Sequence, residues 1–235
     1  MQLTLKTLTN HEKSRYNLVN AKSQHNSCKR STPVITLTSP SSFLLYKLTL
    51  KANANNTPIQ VDHYNDGLQL LDFTIDTVEK EIQFYGMSQT IKIYGPVVFL
   101  RCSMYQLTAL DVSQNPYLTY LDCTINQLQS LDVTKNTALT ALLCGVNQLS
   151  TLDLTKNLKL TDLDCSSNRL SKLNVTQNTA LTSLWCGSNQ LDSLDISKNS
   201  KLSLLETRTN KQTFSTLPTV KPLFLKFNQI ACTAK

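Results

Sequence analysis

The chain has 235 residues, 40% apolar and 17% charged, with 5 glycines and 7 prolines, a balance that favours one or two folded domains over a disordered chain. The net charge of +7 lies mostly near the two ends, since residues 100–210 carry nine basic and nine acidic residues. A nucleic-acid surface needs its positive charge on one folded face, so this distribution argues against a nucleic-acid partner.

Residues 1–33 show no hydrophobic periodicity and many polar side chains, and we expect a mobile polar tail there. Residues 1–27 contain no apolar segment of the kind a secretion signal needs. No stretch of the chain reaches the roughly 18 apolar residues of a membrane span. Two explanations stay open: the protein stays inside the cell, or the natural exported chain has a different N-terminus.

Three segments between residues 34 and 99 alternate β-branched or aromatic residues with polar ones. They are residues 34–38, 44–50 and 90–95. Period-two alternation of these residue types is typical of strands. Residues 34–99 are therefore predicted to form a small β-rich domain that precedes the rest of the chain.

Residues 100–210 repeat every 21 positions, which is the strongest signal in the sequence. The repeated positions include Leu121, Leu142, Leu163, Leu184 and Leu205; Cys102, Cys123, Cys144, Cys165 and Cys186; and Asn126, Asn147, Asn168, Asn189 and Asn210. A fixed period of this size predicts a solenoid, in which each coil buries its apolar side against its neighbours. We assign residues 100–235 to this solenoid.

Each coil contains two similar halves. The first half reads Leu-x-x-Leu-x-Cys-x-x-Asn, as from Leu118 to Asn126, and the second reads Leu-x-x-Leu-x-Val-x-x-Asn, as from Leu128 to Asn136. The Leu-x-Cys and Leu-x-Val pairs have the alternation of a short strand, so we expect strands or extended segments on both faces. The Asn is expected to turn the chain, to cap unpaired backbone groups and to adopt the unusual dihedrals of the turn.

The first and last coils depart from the pattern. Tyr105 stands where later coils have the turn Asn, and the first-half pattern returns from Leu223 to Ile230 after 18 residues instead of 21. No polar capping coil follows, although solenoids normally need one. We expect either that oligomerisation covers this uncapped C-terminal coil or that the natural chain continues.

The coil pattern resembles the leucine-rich repeat. The second half, as in residues 131–136, is similar to 21-residue bacterial repeats found in exported surface proteins of gut and oral bacteria, in the style of the internalins. The resemblance implies a mainly β protein: a leucine-rich-repeat solenoid with parallel strands, preceded by a β-rich N-terminal cap. It also implies a secreted or cell-surface location. Residues 89–95 resemble the final strand of the family's cap, and the resemblance implies that this cap pairs onto the first coil and hides its edge.

Five of the seven cysteines occupy the same position in successive coils, each two residues after a Leu. Free cysteine packs well as a small apolar residue, so we expect these five to form a buried row. Disulfides and a metal or redox role are the alternatives. The three histidines precede residue 100, which weakens the metal alternative, and neither a metal nor a cofactor is predicted.

The residues between the buried positions of each first-half strand are expected to face solvent, and we call this surface the first-half face. Trp185 is the sole tryptophan, and an exposed Trp among polar groups is typical of binding hot spots. The sequence predicts a non-catalytic binding module for a protein or peptide, with a glycan as the alternative ligand. A structural spacer on a cell surface or in an assembly is the competing interpretation. The predicted ligand-binding residues are Tyr120, Asp122, Leu143, Asp162, Asp164, Trp185, Glu206 and Arg208.

Two acidic patterns and the enzyme classes are given little weight. On the second-half face, acids such as Asp132 precede Lys or Gln by three residues, and we expect solvated cross-coil ion pairs rather than a calcium array. The stretch from Asp62 to Gly67 is only faintly like a calcium loop, since Tyr64 and Phe73 occupy ligand positions. The chain has no phosphate-binding glycine loop and none of the common hydrolase or metalloprotease motifs.

Overall fold

A computed structural model describes residues 32–41 and 44–211, together with the backbone of a strand at 224–225. The tail expected over 1–33 lies outside the described residues, apart from its last two positions. Regular structure in the described ranges consists of β-strands alone: β1 (Val34–Thr38), β2 (Leu44–Lys51), β3 (Thr57–Asp62), β4 (Leu70–Ile75), β5 (Lys80–Gly86), β6 (Thr90–Tyr94), β7 (Phe99–Arg101), β8 (Ala109–Asp111), β9 (Tyr120–Asp122), β10 (Ala141–Leu143), β11 (Asp162–Asp164), β12 (Ser183–Trp185), β13 (Leu204–Glu206) and β14 (Phe224–Leu225). These ranges contain no helix with the length and apolar character that a membrane span needs.

Two sheets join the N-terminal cap to the solenoid. The nine-stranded sheet has the order β14-β13-β12-β11-β10-β9-β7-β2-β5, and the five-stranded sheet has the order β4-β3-β6-β1-β8. The first coil supplies β7 to one sheet and β8 to the other. Because β2 pairs antiparallel with β7 and β1 pairs antiparallel with β8, the cap covers both faces of the first coil.

The cap pairs onto the first coil, as the resemblance implied, but residues 89–95 are not the strand that does so. Those residues form β6, which pairs with β1 on one side and β3 on the other. The first coil is a two-sided edge, with β7 on one face and β8 on the other, and one strand cannot cover both. Two strands from different layers of the cap do so instead, and they leave β6 in the middle of the five-stranded sheet.

The 21-residue period is the register of a parallel sheet. Leu142 pairs with Leu121 on one side and with Leu163 on the other, and Leu184 continues the row. These leucines are fully buried. The predicted leucine-rich-repeat solenoid with parallel strands and a β-rich cap is therefore confirmed. Among the second halves that the structure describes, β8 is the one strand.

The first-half asparagines join neighbouring coils, as predicted. The Asn126 side-chain amide donates to the carbonyl of Cys102 in the preceding coil and to the carbonyl of Cys123 in its own, each at 3.0 Å. Its Oδ1 accepts from the Leu107 N–H at 2.9 Å. Because each buried amide both donates and accepts across a coil boundary, the row supplies backbone partners that the turns would otherwise lack.

From Asn136 onward, the second-half asparagines donate but do not accept within the described residues, whereas the side chain of Asn115 in the first coil does neither. The Asn157 side-chain amide donates to the carbonyls of Val133 and Asn136 at 2.9 and 3.0 Å. Its buried Oδ1 accepts no hydrogen bond from the protein, and the same holds for the equivalent oxygen of Asn136. The two rows have the same sequence signature but unequal hydrogen bonding.

We expected the asparagines to adopt the unusual turn dihedrals, but in each coil the preceding residue adopts them instead. Ile125 and Val146 have φ of 55°, and Ser167 has φ of 52°. A β-branched residue in this left-handed region is strained, because its Cβ approaches the backbone too closely. The asparagine itself is thereby left free to turn its amide inward.

The five ladder cysteines are fully buried and free, which confirms the predicted row of core residues. Burial raises the pKa of each thiol, because the thiolate would lose its hydration, and it raises that of Cys186 to about 12. The thiols are therefore neutral packing groups at physiological pH.

The irregular ends have specific pairings. The Tyr105 hydroxyl donates to the backbone carbonyl of Lys47 at 2.8 Å and accepts from its N–H at 2.7 Å, so it binds the cap strand β2. At the other end, β14 pairs with β13 so that Leu225 lies beside Leu205. The offset is two residues longer than the predicted 18.

Candidate functional site

The first-half face carries two columns of side chains, as the register requires. Successive residues in each column are Cα partners in the parallel sheet. The first column contains Tyr120, Ala141, Asp162, Ser183 and Leu204, and the second contains Asp122, Leu143, Asp164, Trp185 and Glu206. Strand β7 extends both columns toward the cap with Phe99 and Arg101, which the sequence interpretation missed.

Two of the predicted ligand-binding acids do not face solvent. Asp122 is 8% exposed and Glu206 is 7% exposed. Asp122 Oδ1 accepts from the N–H and hydroxyl of Thr124 at 3.1 and 2.8 Å, and Glu206 Oε1 accepts from the Arg208 N–H at 3.0 Å. These carboxylates cap the turn that follows their strand, which draws them down onto the backbone.

Each of these two acids also has a cationic partner. Arg101 Nε lies 3.3 Å from Asp122 Oδ2, and Arg208 Nε lies 2.9 Å from Glu206 Oε1. Arg208, predicted as a ligand contact, is thus held beside Glu206. The ends of the second column are neutralised by the protein itself.

Tyr120 belongs to a separate cluster at the junction with the cap. Its ring stacks on Phe99 with a centroid separation of 4.1 Å. The Arg101 guanidinium lies 5.9 Å from the Tyr120 centroid, and Lys51 Nζ lies 5.2 Å from that of Phe99. The aromatic and cationic groups around Tyr120 belong to the first coil and the cap, so Tyr120 packs within that junction.

The remaining four predicted residues meet in one place. An open depression of about 310 Å³ is lined by Leu143, Asp162, Leu163, Asp164, Ser183 and Trp185. Trp185 is half-buried, and its indole N–H donates to the Ser183 hydroxyl at 3.1 Å. Asp162 is exposed, whereas Asp164 is half-buried with Oδ1 accepting from the Ser166 N–H at 2.9 Å. We call this region the Trp185 depression.

Glycines make room for the acids beside this depression. A Cβ added to Gly145 would lie 2.9 Å from Asp164 Oδ1, and one added to Gly187 would collide with the Glu206 carboxylate. Both glycines stand two residues after an apolar member of the second column, where other coils have Thr124 or Ser166. Successive coils thus alternate between an acid-x-Ser/Thr motif and an apolar-x-Gly motif, so that each motif returns every 42 residues. This alternation is visible in the sequence.

The second-half face behaves differently from expectation. Asp132 Oδ1 accepts from the Thr134 N–H and hydroxyl at 2.9 and 2.7 Å, and Asp153 Oδ1 accepts from the Thr155 N–H. These hydrogen bonds lower the pKa of both carboxyl groups. The predicted cross-coil ion pairs are wrong for the described residues, because the acids bind the turn in their own coil.

The stretch from Asp62 to Gly67 is also a backbone cap. The buried Asp62 carboxylate accepts from the N–H groups of Asp66 and Gly67 at 3.2 and 2.9 Å. Asp66 Oδ1 in turn accepts from the Leu68 N–H at 2.9 Å. Both Asp62 oxygens and one Asp66 oxygen therefore bind backbone N–H groups of the loop itself.

Neither a protein-family model nor a curated protein matches the chain. Among solved structures, the functional domain of InlJ from Listeria monocytogenes, which includes a cysteine ladder, is 42% identical over 48% of this chain and 25% of that one, with a TM-score of 0.48. The internalin InlF of the same organism is 29% identical over 42% of this chain and 30% of that one, with a TM-score of 0.41. A leucine-rich-repeat protein of Leptospira interrogans is 25% identical over 43% of this chain and 28% of that one, with a TM-score of 0.41.

The matched region thus spans between a quarter and a third of the length of these proteins. All three are bacterial proteins, of which one is described as an internalin and one as a leucine-rich-repeat protein. This chain is similar to bacterial internalin and leucine-rich-repeat proteins, as the 21-residue pattern predicted.

Proposed function

We propose that the chain is a non-catalytic binding module and that it binds a protein or peptide through the first-half face, at the Trp185 depression. One observation carries the proposal: the chain's sole tryptophan lies half-buried at the edge of an open depression, beside Leu143 and two acids. Trp is enriched at interface hot spots because its large ring can bury apolar area while its N–H stays bonded.

The composition of this face argues against a spacer. A solenoid that only sets distance needs a uniformly polar surface on both faces. The second-half face has that character, with a turn-capping acid or Asn in every described coil. The first-half face replaces the acid with Leu143 and Trp185 in alternate coils.

The chemistry available on the face supports binding rather than catalysis. Asp164 holds its turn through Oδ1, so that oxygen is committed to structure. The ladder thiols are buried, and their pKa values are raised far from the range of a nucleophile. Open, shallow surfaces of this kind also cannot exclude water as a reaction site usually does.

The test compares two leucine-to-serine variants in capture experiments with cross-linking and mass spectrometry. Leu143→Ser removes an apolar side chain from the Trp185 depression, and Leu158→Ser removes one that is 54% exposed on a turn outside it. We expect the captured proteins to be lost with Leu143→Ser and with Trp185→Ala and to be retained with Leu158→Ser. Equal capture by all variants would show that the first-half face is not the binding surface and would favour the spacer.

A further inference from the structure

The Trp185 depression carries a charge that the protein does not neutralise. The second column contains three acids, and those at its two ends are paired with Arg101 and Arg208. Asp162 and Asp164, which line the depression, have no ion pair with a Lys, Arg or His of the described residues. The unbalanced negative charge of this face is therefore concentrated at the depression.

Apolar groups lie on either side of this charge. Asp164 is the Cα partner of Leu143 in one neighbouring strand and of Trp185 in the other. Adjacent strands lie about 4.8 Å apart, so Leu143 and Trp185 are separated by about 10 Å with the carboxylate between them. Asp162 lies on the same face of β11, two residues before Asp164, and adds a second carboxylate about 7 Å along the strand.

From this arrangement we propose that the depression binds an arginine side chain of a protein partner. This inference rests on the proposed binding function and names the group that the face recognises. The guanidinium stacks on the Trp185 ring while its N–H groups donate to Asp162 and Asp164. The three-carbon stem lies along the apolar surface of Leu143.

Arginine fits this chemistry better than lysine. Its planar guanidinium is weakly hydrated, stacks on aromatic rings and presents several donors in one plane. The indole N–H is already bonded to the Ser183 hydroxyl, so the ring contributes its face rather than a donor. A lysine ammonium is a compact, strongly hydrated charge and would use the carboxylates alone.

The single tryptophan makes the depression directly measurable, because intrinsic indole fluorescence of the folded chain comes from Trp185 alone. The probes are N-acetyl-arginine methylamide and the matched citrulline compound, which has nearly the same shape without the charge. We expect the arginine probe to give a saturable emission change in the millimolar range, with the citrulline probe at least roughly tenfold weaker. The lysine probe is expected to lie between the two.

Two asparagine variants test the carboxylates. Asp162→Asn/Asp164→Asn should weaken arginine binding at least roughly tenfold, since it removes both charges and keeps an oxygen for the Ser166 turn. Asp153→Asn is the matched control, because Asp153 makes the same kind of turn on the opposite face, and it should leave binding unchanged. The urea midpoint of each variant verifies that the fold is retained.

Three results would overturn the inference: no saturable response to the arginine probe, an equal response to citrulline, or full binding by the double asparagine variant. A saturable response to N-acetylglucosamine that survives in the double variant would identify a glycan site instead. If protein capture still depends on Leu143 while the arginine probe fails, the binding function stands and the arginine assignment falls. Loss of both would remove the proposed function as well.

Discussion

The two faces of each coil are built on the same turn but are used differently. On the second-half face, Asp-x-Thr or its equivalent recurs in every described coil, as in Asp132-x-Thr134, and the acid binds the turn. On the first-half face, the same motif appears in Asp122-x-Thr124 and is then replaced by Leu143-x-Gly145. The face that keeps the motif is a structural surface, and the face that interrupts it contains the depression.

This difference shows how a repeat can acquire a surface depression without losing its fold. Replacing the acid removes a turn cap, and the glycine two residues later leaves room for the acid of the next coil. Asp164 fills the space over Gly145 and is one of the residues that line the depression. The depression therefore arises from three neighbouring coils, the middle one with the motif and the two outer ones without it.

The largest expected effect is a dependence of stability on pH that only one inner row should produce. The buried row of the first halves consists of Cys, whereas that of the second halves consists of Val, Leu or Ile, which do not titrate. Burial raises the folded pKa of Cys144 above its unfolded value, which is near 8.5. Its stabilising contribution is thus fully present below about pH 8.5 and is lost as the pH rises toward the folded pKa. Each buried thiol should lower the free energy of unfolding by about 1.4 kcal/mol per pH unit in that window, and five of them should do so together.

Urea unfolding between about pH 8 and about pH 10 measures this slope. Cys144→Ala should reduce the slope by the share of one thiol, although it also lowers the stability at neutral pH. Val133→Ala, in the other inner row, should lower the stability at every pH without altering the slope. A slope that is the same in wild type and Cys144→Ala would show that the thiol is not shielded as described.

The next effect is a difference between the two asparagine rows in how much a leucine substitution lowers the free energy of unfolding. Asn168→Leu removes donors to the carbonyls of Cys144 and Cys165 and an acceptor for the Leu149 N–H, so buried backbone groups lose partners on both sides. We expect a loss of about 3 kcal/mol in the free energy of unfolding. Asn157→Leu removes donors alone, because Asn157 Oδ1 accepts nothing, and should cost about 2 kcal/mol. Equal losses in urea unfolding would contradict the unequal bonding of the rows.

The repeat region was predictable because its signals are local and periodic. Leu121 and Cys123 alternate as a strand does, and the period of 21 fixes which leucines become neighbours. The cap was harder, since β3 contains Pro58 and β4 has two leucines in succession, which obscure the alternation. Which strand covers the first coil depends on the packing of two layers, and no spacing in the sequence encodes it.

Part of the candidate site could likewise be predicted, because the strand register determines which side chains lie beside each other. Register alone places Trp185 beside Asp164, so the column could be read from the sequence. The burial of Asp122 and Glu206 depends on the turn that follows each strand, which the column pattern ignores. The signal was nonetheless available, because Thr124 repeats at the second position after Asp122 just as Thr134 does after Asp132.

A moderate effect tests the role of glycine beside the depression. Gly145→Ala should destabilise the chain by about 1 kcal/mol, since the new Cβ would lie 2.9 Å from Asp164 Oδ1. In an Asp164→Ala background the collision is absent, and the same change should be neutral or slightly stabilising because alanine restricts the unfolded chain. Urea unfolding of the four proteins in the cycle gives the coupling. A coupling of zero would mean that the glycine does not accommodate the acid.

The smallest effect concerns the left-handed residue before each first-half asparagine. Val146 has φ of 55° and is 48% exposed, so its β-branched side chain is strained there and contributes little packing. Val146→Asn should raise the free energy of unfolding by about 0.5–1 kcal/mol, because asparagine tolerates this region. Ser167→Val is the reverse change at the equivalent position, where φ is 52°, and should lower the stability by a similar amount. A lower thermal midpoint for Val146→Asn would contradict this expectation. It would mean that the exposed side chains of Met104, Ile125 and Val146 contact one another along this edge, and that the contact stabilises the fold by more than the backbone strain destabilises it.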